Sequence, residues 1–224
     1  MPFLLYYTET NIMPDNRPSL PLKVLGPVRQ FVSVTLVVAI LVIALSVTLY
    51  WRAKNILELQ IKERLMRIAA VSAMQFDGKD LQRIKLNGDY TGKEYTQTIE
   101  TLARIKRTIP EVQFAYILAK TEDPEKLVFL ADGAAALSEE ELDTNRNDYI
   151  DIDESPSYPG DPYDISQAPA MLNAFDQPAV DEEPTEDQWG MAISGYAPIL
   201  RSDTGEAVAI IGLDMQAEEL IFRS

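Results

Sequence analysis

The sequence predicts an α+β protein carried on a membrane anchor. Three observations carry that reading. A charge-free apolar run spans Phe31 to Trp51. Two stretches of helical periodicity follow it. After Pro110 come strand-like segments joined in pairs by polar turns, with a long acidic insertion between the pairs.

The run "FVSVTLVVAILVIALSVTLYW" has 21 residues, enough at ~1.5 Å per residue to cross ~30 Å of hydrocarbon. Tyr50 and Trp51 stand where an aromatic belt belongs. The run is too long for a signal-peptide core, and no small-x-small cleavage site follows it. A retained, single-pass anchor is expected over residues 31–51. Residues 1–30, Pro-rich up to Pro27, read as a disordered cytoplasmic segment.

A stalk helix is expected over 52–76. Leu57, Ile61, Leu65, Ile68 and Val71 recur at spacings of four and three, one apolar face of a helix. That face suits either the domain core or the seam of a parallel homodimer. The domain proper is expected over 77–224. "DGKDLQRIKLNGDYTG" reads as a short helix between glycine turns, and "KEYTQTIETLARIKRT" as an amphipathic helix stopped by Pro110. "VQFAYILA" and "KLVFLAD" form a hairpin about the turn "TEDPEK". "LSEEEL" reads as a short acidic helix and "APAMLNAF" as one or two helical turns. "MAISGYAPIL" and "EAVAIIGLDM" form a second hairpin about "RSDTGE".

The chain has 35 acidic and 20 basic residues, a formal net charge of −15. Between Asp132 and Asp187 stand seventeen acids and one base, Arg146. A field of that sign repels nucleic acid and attracts cations. The chain has neither His nor Cys, so imidazole bases, thiol nucleophiles, thiolate metal sites and disulfides are excluded. Carboxylate chemistry and hard-cation binding remain.

Basic residues flank the span on both sides: Arg17, Lys23 and Arg29 before it, Arg52, Lys54, Lys62, Arg64 and Arg67 after it. Their count alone favours a cytoplasmic C-terminal side. Long domains translocate largely regardless of such charges, and the acidic composition favours the exterior. The expectation is a C-terminal domain outside the inner membrane, with the anchor in lipid.

"DTNRNDYIDIDE", Asp143 to Glu154, places oxygen-bearing residues as a twelve-residue calcium loop requires. The ligands would be Asp143, Asn145, Asn147, the Tyr149 carbonyl, Asp151 and Glu154, with Ile150 anchoring the loop on the core. With three carboxylates, a dissociation constant of ~10⁻⁴ to 10⁻³ M is expected. The pattern departs at its sixth position, where Asp148 replaces glycine, and Ser155-Pro156 stands where a following helix would begin. The alternative is a solvated acidic loop.

The last strands, with "SGYAPI", the D-x-x-G turn and "GLD", and the preceding "GDPYDISQAPAMLNAF", resemble the Cache-type, PAS-like extracytoplasmic sensor domains of bacterial receptors. The resemblance covers residues 52 to 218. It implies a sheet with a small-molecule ligand on one face, a non-enzymatic sensory role in signal transduction, and ligand-driven motion of the stalk helix in a dimer. Output would lie in a domain beyond a second span. This sequence stops at "DMQAEELIFRS", so a receptor fragment or one part of a split receptor is expected. Ligand-binding candidates are Asp214, Tyr116, Trp189, Ser194, Tyr196 and Asp164, with Tyr163 from the covering loop. In amino-acid-binding members an Asp at the position of Asp214 takes the ligand ammonium. The Arg expected beside Trp189 for a carboxylate is absent, and Asp187 is offered instead, which leans toward a cationic or neutral ligand. An enzyme would need paired carboxylates such as Asp132 and Asp214, which nothing in their spacing supports. A calcium-stiffened interaction module on a single anchor is the other alternative.

Overall fold

A computed structural model describes residues 22–86, 90–166, 168–187 and 189–216, the side chains of 22–27 and Asp187 excepted. The chain divides into two compact units, residues 1–52 and 53–224. Helix α1, Leu22–Ala73, contributes to both.

In the first unit the helix begins nine residues before the charge-free run, so residues 22–30, expected to be irregular, are helical. Its most apolar stretch has a mean hydropathy of 2.8 and none of it is buried by protein. It is long and apolar enough to cross a membrane. The Ser and Thr hydroxyls within the run are satisfied internally: Ser33, Thr35, Ser46 and Thr48 each donate to the carbonyl four residues back, at 2.8–2.9 Å. Such bonds let a helix carry hydroxyls into lipid without unmet polar groups.

The second unit is α+β. Residues 53–73 of α1 are followed by α2 (Gly78–Leu81), α3 (Lys93–Thr108), β1 (Phe114–Lys120) and β2 (Lys126–Asp132). Then come α4 (Glu139–Leu142), β3 (Pro162–Asp164), α5 (Ala170–Asn173), β4 (Ala179–Val180), β5 (Thr185–Asp187), β6 (Gly190–Leu200) and β7 (Ala207–Gln216). The strands form one antiparallel sheet in the order β3-β2-β1-β7-β6-β4, with β5 also on β6. Both expected hairpins are present. The sequence predicts only short helical turns within the acidic insertion. It supplies β3 at one edge of the sheet and β4 and β5 at the other.

Strand alternation sorts the core into two faces. Ala115, Ile117, Ile193, Ala197, Ile211 and Leu213 join α1 and α3 on one face. Tyr116, Leu118, Phe129, Tyr196 and Ile210 join Met171, Ala174 and Phe175 on the other. Leu65 of α1 is fully buried. It lies so close to Gly195 that a Cβ there would approach its Cγ to 2.8 Å. Leu65 therefore belongs to the domain core and not to a dimer seam. Leu57 and Ile61 are half-buried. Val71 falls off that face and is exposed, as are Ile56, Leu59 and Met74.

The β1–β2 ladder is irregular between Ile117 and Leu118. Tyr116 pairs with Asp132, but Leu118 pairs with Phe129. Phe129 and Asp132 are an odd number of residues apart, so in a regular strand they would face opposite ways. The bulge turns both to the face that lies away from α1.

Candidate functional site

A small cleft, with a volume of about 20 Å³, opens on that face. Phe114 and Tyr116 of β1, Phe129 and Asp132 of β2, and Asp214 of β7 line it from the sheet. Tyr163 of β3 and Trp189, just before β6, complete it.

The sheet builds its floor by register. Tyr116 lies opposite Asp132 on one side and Gly212 on the other. A Cβ at Gly212 would clash with the Cε2–Cζ edge of the Tyr116 ring. Glycine there lets the phenol lie across β7 and donate to Asp214 Oδ1 at 2.9 Å. Burial holds the Tyr116 hydroxyl well above its ordinary pKa, and the nearby Asp214 carboxylate adds to this, so it remains a donor.

Phe129 is the centre of the aromatic wall. It meets Tyr116, Tyr163 and Trp189 edge to face, with centroids 5.8, 5.8 and 5.9 Å away. Tyr163 and Trp189 are nearly parallel, 13° apart with centroids at 6.2 Å. Edge-to-face and offset-parallel pairs are the arrangements that aromatic quadrupoles favour. The Trp189 indole Nε1 donates to the Ser155 carbonyl at 3.3 Å, which fixes the ring.

Asp132 is buried, and its oxygens accept from the Ala134 and Ser157 backbone N–H groups at 2.9 Å each. Burial raises its pKa to about 6, opposed by those N–H groups and by the Lys106 ammonium. Lys106 stands over the Phe114 ring at 5.5 Å. It lines a neighbouring cleft with Thr144, Glu154 and Trp189. Among the described residues that line the cavity itself, none is basic.

The cavity thus brings together Asp214, Tyr116 and Trp189 of the expected ligand residues, and Tyr163 as expected from the covering segment. Ser194, Tyr196 and Asp164 do not line it. Tyr196 is buried in the core, and its hydroxyl donates to Asp181 Oδ2 at 3.2 Å. The Ser194 N–H donates to the same oxygen at 3.0 Å. Asp181 is itself buried, which raises its pKa to about 6. Asp164 is exposed and accepts from the Ser166 N–H at 2.8 Å, which lowers its pKa. The Asp187 side chain lies outside the described residues. Phe114 and Phe129 carried no sequence signal beyond strand membership. Asp132, which the sequence offers only as Asp214's partner in an enzyme pair, lines the same cavity as Asp214.

The loop 143–154 follows α4, as the acidic "LSEEEL" stretch predicted. Arg146 and Asp148 take φ of 59° and 67°. Asp148 thus adopts the left-handed turn that a sixth-position glycine would supply. Asp143 accepts from the N–H groups of Asn147 and Asp148 at 3.0 and 2.9 Å. Asn145 and Asn147 accept from the N–H groups of Asn147 and Tyr149, and both donate to Asp151 Oδ2. Glu154 is buried and accepts from Thr144 N–H and Oγ1 at 2.7 Å, from Asn145 N–H at 3.1 Å and from Asp151 N–H at 3.3 Å. The Thr144 hydroxyl, with the backbone donors, lowers its pKa. Among the described residues no group of three or more acidic side chains stands close enough to hold a metal ion. Ile150, expected to anchor the loop on the core, is 37% exposed, because the tight backbone turns leave its side chain at the surface.

No protein-family model and no curated protein matches the chain. Among solved structures, it is similar to the ligand-binding domain of the Campylobacter jejuni chemoreceptor Tlp3 in complex with L-valine. That match has 14% identity, covers 75% of this chain and 64% of that one, and has a TM-score of 0.37. It is also similar to the periplasmic sensory domain of the Campylobacter jejuni chemoreceptor Tlp1, at 8% identity, 76% and 59% coverage and a TM-score of 0.41. A third is the A. Aeolicus nlh2 gaf domain in an inactive state, at 12% identity, 76% and 88% coverage and a TM-score of 0.31. The chain spans less than two thirds of the length of the two chemoreceptor domains.

Proposed function

We propose that this chain is a membrane-anchored, extracytoplasmic sensory module that binds a small molecule in the cavity beside Trp189. The observation that carries the reading is the cavity: aromatic walls around two inward carboxylates, on a sheet face with its own packed core. Pockets of this kind, mostly apolar with a few placed polar groups, are built for small ligands. Binding fits better than catalysis, because Asp132 gives its oxygens to backbone N–H groups and Asp214 accepts from Tyr116. The exposed apolar helix supplies the anchor in lipid. The test is a thermal-shift screen of small metabolites on the full chain in lipid nanodiscs. A hit is expected to raise the midpoint and to lose its effect in Asp214→Ala. A response to calcium alone, with no small-molecule hit, would replace this reading with a calcium-stiffened interaction module.

Calcium binding by the 143–154 loop is a second reading, favoured by the left-handed Asp148 at the loop's sixth position. The N–H donors to Asp143 and Glu154 orient the end ligands as such a loop needs. Calcium would replace the Asn-to-Asp151 bonds and draw on Asp143, Asn145, Asn147, Asp151, Glu154 and the Tyr149 carbonyl. Calorimetry is expected to show one weak calcium site with magnesium a poor substitute, abolished by Glu154→Gln. No heat at millimolar calcium would reject it.

A homodimer through the stalk belongs to the same proposal. Its seam is the outward face with Ile56 and Leu59, both exposed, since Leu65 is committed to the core.

A further inference from the structure

We propose that the segment Ala179 to Glu182 is a proton-controlled latch between helix α1 and the edge of the sheet, closed in acid and loosened towards neutrality. The latch requires no ligand in the cleft.

Strand β4 is a short support for a buried acid. It consists of Ala179 and Val180, lies at the sheet edge, and pairs with Tyr196 and Gly195 of β6. Pro178 precedes the segment and Pro184 follows soon after it, and neither can donate a backbone N–H to a ladder. Yet Asp181 is only 3% exposed. Its N–H donates to the Ser194 carbonyl at 3.0 Å, and its Oδ2 accepts from the Ser194 N–H at 3.0 Å and the Tyr196 hydroxyl at 3.2 Å. The next residue turns to the helix. The Glu182 carbonyl accepts from Lys62 Nζ of α1, and Lys62 also pairs with Glu58 at 2.8 Å. Asp181 thus grips β6 while Glu182 grips α1. Gly195, the partner of Val180 in the ladder, is also the residue against which Leu65 of α1 packs. The segment borders an open groove of about 760 Å³, lined as well by Ala170 and Asn173 of α5 and Met191 of β6. It can swing outward without moving the core.

The charges around Asp181 set the sign. Lys62 of α1 and the Tyr196 hydroxyl of β6 act on it, with Glu58 beside Lys62. Asp214 and Tyr163 act on that hydroxyl in turn. Glu182 and Glu183 of the segment's own side are exposed, and α5 carries no titratable side chain. Burial outweighs Lys62 and the hydrogen-bond donors and raises the pKa to about 6. Once the segment swings out, Asp181 meets water and regains its ordinary pKa. The closed form therefore binds the proton more tightly, and by linkage acid closes the latch. The open-to-closed ratio is expected to rise about fiftyfold from about pH 4 to about pH 7.5, most of it below pH 6. Opening a short edge strand costs less than unfolding the domain, so the latch responds before the fold does.

Pulsed electron–electron distance measurements on the full chain in nanodiscs test this. Spin labels are placed at Gln60→Cys and Glu183→Cys, both exposed positions in a chain with no cysteine. Labelled chain is diluted with unlabelled chain so that each pair is intramolecular. One short distance is expected at about pH 4, with a longer population growing as pH rises to about 6 and then levelling. Asp181→Asn, neutral throughout, is expected to stay closed and to show no dependence on pH. Tyr196→Phe removes a donor that favours ionised Asp181, so its rise is expected to continue to higher pH. A distribution that does not change with pH, opening in acid instead, or a transition that survives in Asp181→Asn would overturn the latch. Should Asp181→Asn fail to fold, Tyr196→Phe decides: a transition left unmoved or shifted to lower pH overturns the assignment to Asp181.

Discussion

The aromatic cavity and the acidic loop are neighbours that use the same side chain in opposite ways. In the cavity, carboxylates are buried on a rigid sheet. Desolvation dominates there and lifts Asp132 to about 6. In the loop, carboxylates are held by a dense set of N–H and O–H donors, and these lower Glu154. Three residues join the two regions: Glu154 closes the loop, the Ser155 carbonyl holds Trp189, and the Ser157 N–H holds Asp132. An Asp or Glu is therefore no site by its identity. Its environment decides whether it resists charge or presents it.

The widest contrast is in pH dependence. Asp132 has a folded pKa raised from 3.8 to about 6, so the folded state holds its proton more tightly. Its contribution to stability is greatest below about pH 4, is lost as pH rises to about 6, and then stays level, a change of about 3 kcal/mol. Asp181 behaves alike. Glu154 has a lowered pKa, so its contribution is present above its ordinary pKa and is lost as pH falls. Asp132→Asn should gain on the wild type as pH rises from 4 to 6.5. Glu154→Gln should lose ground as pH rises from 3 to 5. Denaturant unfolding followed by Trp189 fluorescence, in a Trp51→Phe background because the chain has two tryptophans, measures both. Slopes of the same sign would break the comparison.

Steric tolerance separates the regions next. Gly212→Ala puts a methyl against the edge of the Tyr116 ring, closer than contact allows, and is expected to cost about 1–3 kcal/mol. It should also impair ligand binding, because Tyr116 can no longer reach Asp214. A silent Gly212→Ala would mean that the floor of the cavity is pliable.

The stalk helix offers a test of intermediate size. Because the chain has no cysteine, single-Cys probes are clean. Crosslinking in membranes should be strong at Ile56 and Leu59, both exposed, and absent at Leu65 and Ala69, both buried. Strong crosslinking at Leu65 would contradict its place in the core. Uniform or absent crosslinking along the stalk would reject the dimer.

The smallest effect is expected in the loop backbone. Asp148→Gly relieves a left-handed non-glycine residue and should stabilise the domain by up to ~1 kcal/mol. It should also leave any calcium affinity intact or improved. A loss of stability would show that the Asp148 side chain makes a contribution of its own.

Local pattern determined much of this protein without help. The long apolar helix follows from an uninterrupted apolar run. The strands β1, β2, β6 and β7 follow from short apolar runs with β-branched and aromatic residues between polar turns. The helix before the acidic loop follows from "LSEEEL". Asp214 stood out because a carboxylate in "AIIGLDM" demands a partner, and Tyr116 is that partner. What the tertiary structure alone decided depends on pairing across the chain. A bulge in the β1–β2 ladder turns Phe129 and Asp132 to one face, and period-two reading of a single strand cannot show it. The stripe Leu57, Ile61, Leu65 is equally good for a partner helix or for a sheet. Gly195, 130 positions after Leu65, settles that Leu65 goes to the sheet. Tyr163 and Trp189 stack although they are far apart in sequence, and Ser194 and Tyr196 turn to Asp181 because β4 lies beside β6. Side-chain periodicity is a property of a few consecutive residues. The facing of a site is a property of which strands pair and in what register, and that is set only when distant segments meet.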